Sequence, residues 1–394
     1  MKSYELIHQK FSEVFGEETT PIIVRSPGRV NIIGEHTDYN GGFVLPAAID
    51  KAAYMAISLR NDDEIHLFAK DLNKSFSARL NDLKPIDNIS WPNYILGSAA
   101  QFPKKGFALK GFNALLTSDV PMGAGLSSSA AVECATVFAL NELLHTKLDR
   151  LTMVKMAQKA EHEFAGVMCG IMDQFASMMG KKDHVIKLDC RSLEYEYVPL
   201  KLDGFKLLLL NTNVKHSLAS SAYNQRRHEC QQAVDWLRTH YPQVHTLRDV
   251  SEQMLDQYVL PKDELITQRS RFVVQEIERL QGACNDLQQG NVQSLGQKMY
   301  ATHDGLSNMY SVSCAELDLL VDYVRHNDAV LGARMMGGGF GGCTINLVKE
   351  DRIGELVSNI QPVYESITGL PLHYYVASIE NGTELVFKNE VAYV

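Results

Sequence analysis

Pro27-Gly28-Arg29-Val30-Asn31-Ile32-Ile33-Gly34-Glu35-His36-Thr37-Asp38-Tyr39-Asn40-Gly41-Gly42 places one permanent cation, two carboxylates, an imidazole, a phenol and four glycines within 16 residues. Between Gly34 and Leu45 apolar residues are scarce, so packing accounts poorly for the polar run. Carboxylate, imidazole and amide groups in alternation suit a polyol ligand, because each hydroxyl both donates and accepts. Such a site discriminates well, since a wrong hydroxyl pattern leaves a buried polar group unpaired.

Around this stretch lies an ordinary globular composition. The 394 residues are 45% hydrophobic and 22% charged, enough for large cores and two or three domains. The formal net charge is −9 with the basic residues scattered, which argues against a nucleic-acid or anionic-membrane surface but permits a local anion site built from backbone amides. Seven widely spaced cysteines form no Cys-x-x-Cys pair, so reduced thiols in a cytoplasmic protein are expected and no zinc site is suggested. The longest apolar runs, such as Leu207–Leu210, are too short to cross a bilayer. No membrane or nucleic-acid partner is expected, and a monomer is the working expectation.

Apolar periodicity predicts an opening helix over 3–15, then strands at 22–26, 43–49, 52–59 and 64–69. A helix over 91–102 and a strand over 111–117 precede an Ala-rich helix running to about Leu144, and more helix fits 151–165. Strands fit 184–189, 194–199 and 205–211. Residues 219–326 read as largely helical, and strands return near 331–336, 343–348 and 373–378 around a helix at 351–366. The pattern is α+β in two halves, with a boundary near residues 199–204 and a site expected in the cleft between them.

Gly123-Ala124-Gly125-Leu126-Ser127-Ser128-Ser129 sits between a predicted strand and a predicted helix. Small residues let backbone amides approach an anion, and a helix start adds partial positive charge. The serine hydroxyls can donate to phosphate or bind a hard cation. There is no Gly-Lys-Ser/Thr ending, so a Walker loop is excluded. Taken alone, the segment reads first as a serine-capped helix after a glycine turn, and a second glycine-rich segment shifts that balance. That second segment, Gly332–Thr344, matches Gly-x-Gly-x-x-Gly at Gly337, Gly339 and Gly342. A strand-like run follows it, whereas the dinucleotide fingerprint must open a helix, so a hairpin or loop facing a ligand is the better reading.

Together, Pro27–Gly42, Pro121–Ala130 and Gly332–Cys343 resemble the three motifs of the galactokinase, homoserine kinase, mevalonate kinase and phosphomevalonate kinase superfamily. Gly28–Tyr39 resembles the signature of its galactokinase family. The resemblance implies a two-domain sugar kinase, with an N-terminal ribosomal-protein-S5-like domain over 1–200 and a C-terminal ferredoxin-like domain over 201–394. It implies ATP-dependent phosphorylation of α-D-galactose at the anomeric hydroxyl in galactose catabolism, with Mg2+ required.

Roles follow from that resemblance position by position. Asp173 matches the catalytic aspartate that takes the sugar hydroxyl's proton, and Arg29 the arginine that stabilises the developing charge. Glu35, His36, Thr37, Asp38 and Tyr223 match the residues that grip the sugar, with Asp173 touching it too. Gly123, Ala124, Gly125, Leu126, Ser127, Ser128 and Ser129 match the ATP phosphate loop. Ser129 and Glu161 match the magnesium ligands, and Trp91 and Tyr94 match aromatic residues flanking adenine. On residue type alone, Asp173 reads as a helix N-cap and Tyr223 as a half-buried helix tyrosine. Glu161 reads as a solvated helix carboxylate beside the decoy Glu163, and Trp91 with Tyr94 as core.

Three departures from the family pattern stand out. Met336 and Gly338 replace a threonine and an alanine in the third motif, Phe272 stands where the family usually has histidine, and Ala69 where many members have serine. Two other functions share these motifs: a sister sugar-1-kinase for N-acetylgalactosamine or a C6-modified galactose, and a non-catalytic galactose and ATP sensor. Known sensors lack part of the segment matching Gly125–Ala130, which is intact here.

Overall fold

The computed structural model describes residues 3–17, 20–121, 123–214 and 219–388. Thirteen strands are present among them. In chain order they are β1 (Ile22–Asn31), β2 (Phe43–Val44), β3 (Pro46–Leu59), β4 (Glu64–Ala69), β5 (Lys74–Arg79), β6 (Phe112–Ser118) and β7 (His184–Asp189). There follow β8 (Tyr195–Pro199), β9 (Phe205–Asn211), β10 (Val330–Met335), β11 (Cys343–Lys349), β12 (His373–Ala377) and β13 (Glu384–Phe387). A six-stranded sheet runs β13-β1-β3-β6-β4-β5, a four-stranded sheet β10-β11-β9-β12, and a small one β2-β7-β8. The α+β architecture expected from the sequence is the one found.

Alternation along β1 sends Val24 and Ile23 to opposite faces of the first sheet. On the Val24 side, helices Trp91–Lys104, Ser128–Leu143, Arg150–Ala160 and Met172–Met179 bury Ile95, Ala131, Ala135, Val154 and Phe175. On the Ile23 side, the opening helix Ser3–Phe15 seats Ile7 and Phe11 against Leu115. Small residues make the first arrangement possible. The Ala-rich stretch after Ser128 carries little bulk on any face and lies buried all round, as a helix enclosed on all sides must.

The run Leu207–Leu210 in β9 is apolar at every position because its sheet is covered twice. Leu207 and Leu209 join Val30, Ile32, Leu45 and Leu280 in a core shared by the two halves. Leu208 and Leu210 face Leu320, Val321, Leu356 and Ile360 from helices Ala315–Arg325 and Ile353–Thr368. A third core, built on Phe272, Leu306 and Tyr310, packs the helical block that lies between β9 and β10.

The structure differs from the sequence reading in places. The strands expected at 43–49 and 52–59 are one long β3 preceded by the short β2. The polar, exposed β5 was not expected, nor was β13, which pairs antiparallel with β1. β9 to β12 all come from the second half, consistent with a boundary near 199–204, but the chain then returns to the first sheet through Asp50 N–H to Ser378 O and Gly382 N–H to Gly180 O. We infer a division there, with the final strand belonging to the first half.

Candidate active site

Gly28 interrupts the β1–β3 register between Pro27 and Arg29. A Cβ at this position would lie 2.6 Å from the Leu126 carbonyl, so only glycine lets the Gly123–Ser129 loop lie against the strand. Arg29 N–H donates to that same carbonyl at 3.1 Å. Its guanidinium, almost fully buried, donates to Gly125 O at 2.6 Å and to Asp173 Oδ1 at 2.9 Å through Nε, with Nη2 at 2.8 Å. The arginine therefore joins the loop to the aspartate.

The serine-cap and N-cap readings are both corrected by the geometry. Ser127 stands at the helix N-cap in a left-handed conformation (φ 58°) with no side-chain cap. Its hydroxyl instead donates to Asp173 Oδ2 at 2.6 Å. Asp173 is not the cap of its helix but lies in the first turn of Met172–Met179, behind Ile171. Both carboxylate oxygens are thus held, one by Ser127 and the other by Arg29, which itself bonds the same loop at Gly125 O.

The polar loop of the opening motif forms the other wall. A cavity of about 200 Å³ is lined by Arg29, Glu35, His36, Asp38, Asp173 and Tyr223, closed by Gly337 and Gly338. His36 (φ 62°) pairs Nδ1 with the Tyr39 hydroxyl at 2.7 Å, while its buried Nε2 has no hydrogen bond among the described residues. Burial, aided by the Arg226 charge, lowers the His36 pKa to about 3, so the imidazole is neutral at working pH. Burial and the charges of Asp173 and Glu35 raise Asp38 to about 6. Tyr39 bonds Tyr310 at 2.8 Å, and the Tyr223 ring packs 5.5 Å from that of His36. Thr37 does not line the cavity. Its hydroxyl lies 2.9 Å from Gly34 O and 2.5 Å from Phe43 O and can donate to either, which closes the loop on itself.

Beside this cavity, Ser129 Oγ donates to Glu161 Oε1 at 3.1 Å. Glu161 is buried rather than solvated, and its other oxygen accepts from Gln174 Nε2 at 2.6 Å. The same amide reaches the fully buried Glu133 at 3.0 Å. Burial, then the charge on Asp173, raises the Glu161 pKa, a penalty that a bound cation would relieve. Glu163 is the decoy, paired with Lys104 at 2.5 Å away from the cavity. Among the described residues no three His, Cys, Asp or Glu side chains form a ready metal cage. A hydroxyl and a carboxylate nevertheless fit Mg2+, which accepts few protein ligands when phosphate oxygens and waters complete its shell.

A second, mainly apolar cavity of about 360 Å³ holds Trp91, Tyr94, Leu116 and Val132, with Ser128 and Ser129 at its edge. Ala69 lines it, as does Tyr375 from β12. The serine loop thus lies between a polar cavity and an apolar one. The second glycine segment is the β10–β11 hairpin, closed by Met336 N–H to Cys343 O at 3.0 Å. Met336 is buried in the shared core, and Phe272 packs its ring 5.0 Å from Tyr310.

Sequence reasoning missed Arg334, Gln174, Tyr310 and the Gly337 amide that faces Glu35. Arg334 lies inside the third motif, but nothing in its neighbours marks it as more than a strand residue.

Comparisons with known proteins bear on the whole chain. The galactokinase galactose-binding signature matches residues 9–59, the GHMP kinase N-terminal domain 93–181, and the GHMP kinase C-terminal domain 285–365. A galactokinase of Thermotoga petrophila is 39% identical over 92% of this chain and 99% of its own length. One from Halalkalibacterium halodurans is 40% identical over 94% and 95%. The crystal structure of Lactococcus lactis galactokinase complexed with galactose superposes with a TM-score of 0.92 at 35% identity, over 97% of this chain and 99% of that one. A mevalonate kinase structure at 22% identity shares the fold, with a TM-score of 0.63 over 91% of this chain and 99% of that one.

Proposed function

The chain belongs to the galactokinase family, and from that premise we propose that it transfers the γ-phosphoryl group of ATP to the anomeric hydroxyl of α-D-galactose. The observation that carries this reading is the Arg29–Asp173 pair, bonded at once to the phosphate loop and to the wall of the polar cavity. It puts a base and a fixed cation where a sugar oxygen would meet a terminal phosphate.

Asp173 accepts the proton of the anomeric hydroxyl as that oxygen attacks phosphorus. Arg29 holds the Asp173 carboxylate in place through two N–H groups and stabilises charge developing on the transferring group. Glu35, His36, Asp38 and Tyr223 hold the other hydroxyls, the neutral His36 Nε2 supplying a buried group without a hydrogen bond among the described residues. The amides of the helix beginning at Ser128 cradle phosphate, and the apolar cavity with Trp91 and Tyr94 accommodates adenine. Ser129 and Glu161 would hold Mg2+, which neutralises phosphate charge when bound.

A monomer suffices for this chemistry, since one chain supplies every wall of the cavity. Among the described residues no helix is long and apolar enough to cross a membrane, and with seven free thiols a cytoplasmic location is the natural reading.

The test is a sugar panel with purified protein and ATP, with the product phosphate located by NMR. Phosphate on the anomeric carbon of galactose is expected. A clear preference for N-acetylgalactosamine would assign the sister activity instead.

A further inference from the structure

Arg334 has the bulkiest of the fully buried side chains and is 0% exposed. Its five N–H groups are all used. Nε donates to Ile32 O at 2.8 Å, Nη1 to Met335 O at 2.6 Å and Nη2 to Asn31 O, and both Nη atoms donate to Glu35 Oε1 at 3.1 Å. Gly337 N–H adds a third donor to the same oxygen at 2.9 Å. Glu35 Oε2 has no protein hydrogen bond among the described residues, although Glu35 is 2% exposed and lines the polar cavity.

A carboxylate oxygen that opens on a cavity without a protein donor is left to accept from whatever fills that cavity. Three donors on Oε1 also remove the freedom of the carboxylate to exchange its two oxygens. The burial of Arg334 would otherwise carry a desolvation penalty that apolar packing avoids.

We propose that Arg334 is a positioning residue for sugar recognition, which with the Gly337 amide takes one oxygen of Glu35 and fixes the other as the acceptor for a single sugar hydroxyl. The inference rests on the galactose-binding reading above and extends it to a residue of the second half. A lysine in this position would keep the charge but not the planar fork, so Glu35 would be free to turn.

The experiment compares kcat/KM for galactose and each of its monodeoxy analogues in the wild-type chain and in Arg334→Lys. The wild type should reject one analogue by about a hundredfold, as a site built around a buried charged hydrogen bond does. Arg334→Lys should lose about tenfold of that rejection at the same analogue alone, with KM for ATP unchanged. An equal loss for every sugar, or no change in the ratios, would reduce Arg334 to a structural staple and overturn the proposal.

Glu35→Gln provides the same reading without touching Arg334, and decides the question if Arg334→Lys does not fold. The donors on Oε1 would force its amide nitrogen toward the cavity, turning an acceptor into a donor. It should therefore fail at the same hydroxyl, and a loss spread evenly across the analogues would also overturn the proposal. A wild-type chain inactive on galactose would instead sink the functional reading, and this inference with it.

Discussion

Ser127 Oγ donates to Asp173 Oδ2 at 2.6 Å while Arg29 occupies Oδ1. The carboxylate is held by the loop expected to carry phosphate, so its position is set before a sugar arrives. Ser127→Ala removes one of the two anchors. We expect kcat to fall about tenfold to a hundredfold, the value of a hydrogen bond to a charged group, with KM for galactose little changed. Asp173→Asn should cost more, at least about 10²-fold to 10⁴-fold in turnover, while ATP binding measured by calorimetry stays near normal.

Asp38 gives a pH test with a definite sign. Its folded value of about 6 lies above the ordinary 3.8, so the folded chain holds this proton more tightly than the unfolded one. The stabilisation is full below the unfolded value and is lost as pH rises through about 6. Asp38→Asn should therefore stabilise the protein at pH 7.5 by roughly 1–3 kcal/mol, read from denaturant midpoints, while weakening galactose binding. In the wild type, KM for galactose should rise as pH falls through about 6, and this inflexion should vanish in the variant. His36 does not produce it, because its value of about 3 leaves it neutral throughout.

Gly170 abuts the Asp38 carboxylate, and a Cβ there would collide with Asp38 Oδ2. Since the obstacle is the end of a side chain, Gly170→Ala should fold and push Asp38 aside. Its KM for galactose should rise about as much as in Asp38→Ala, roughly tenfold, with an unchanged thermal midpoint. A normal KM would show that Asp38 does not need its present position.

Glu161→Gln tests the magnesium role. The Mg2+ concentration for half-maximal activity should rise on the order of tenfold or more, since an amide replaces a charged hard ligand. Nucleotide binding without Mg2+, followed by calorimetry, should be unaffected. An unchanged metal requirement would return Glu161 to a structural role beside Gln174.

Much of the fold was legible because the decisive signals are local. The strand over 205–211 and the Ala-rich helix were readable from composition, while the structure shows that β9 is covered on both faces and the helix buried all round. β5 escaped notice because Lys74-Ser75-Phe76-Ser77-Ala78-Arg79 is an exposed edge without an apolar stripe. β13 escaped because its partner lies more than three hundred residues earlier. In the site, Glu35, His36 and Asp38 stood out as a polar cluster with no packing purpose, whereas Thr37, identical in kind to its neighbours, serves the loop's own closure. Arg334 and Gln174 could not be read at all. Each acts on a carboxylate brought to it only by the tertiary fold.

The pairing of β13 with β1 has a consequence for how the molecule is made. As the chain leaves the ribosome, β1 and its neighbours appear first, but the outer edge of β1 has no partner until residues 384–387 have been synthesised. For nearly the whole of translation the nascent first half carries an open strand edge, the kind of surface on which chains pair wrongly. Fragments cut short before the final strand should therefore recruit chaperones or aggregate even though every residue lining the polar and apolar cavities is already present.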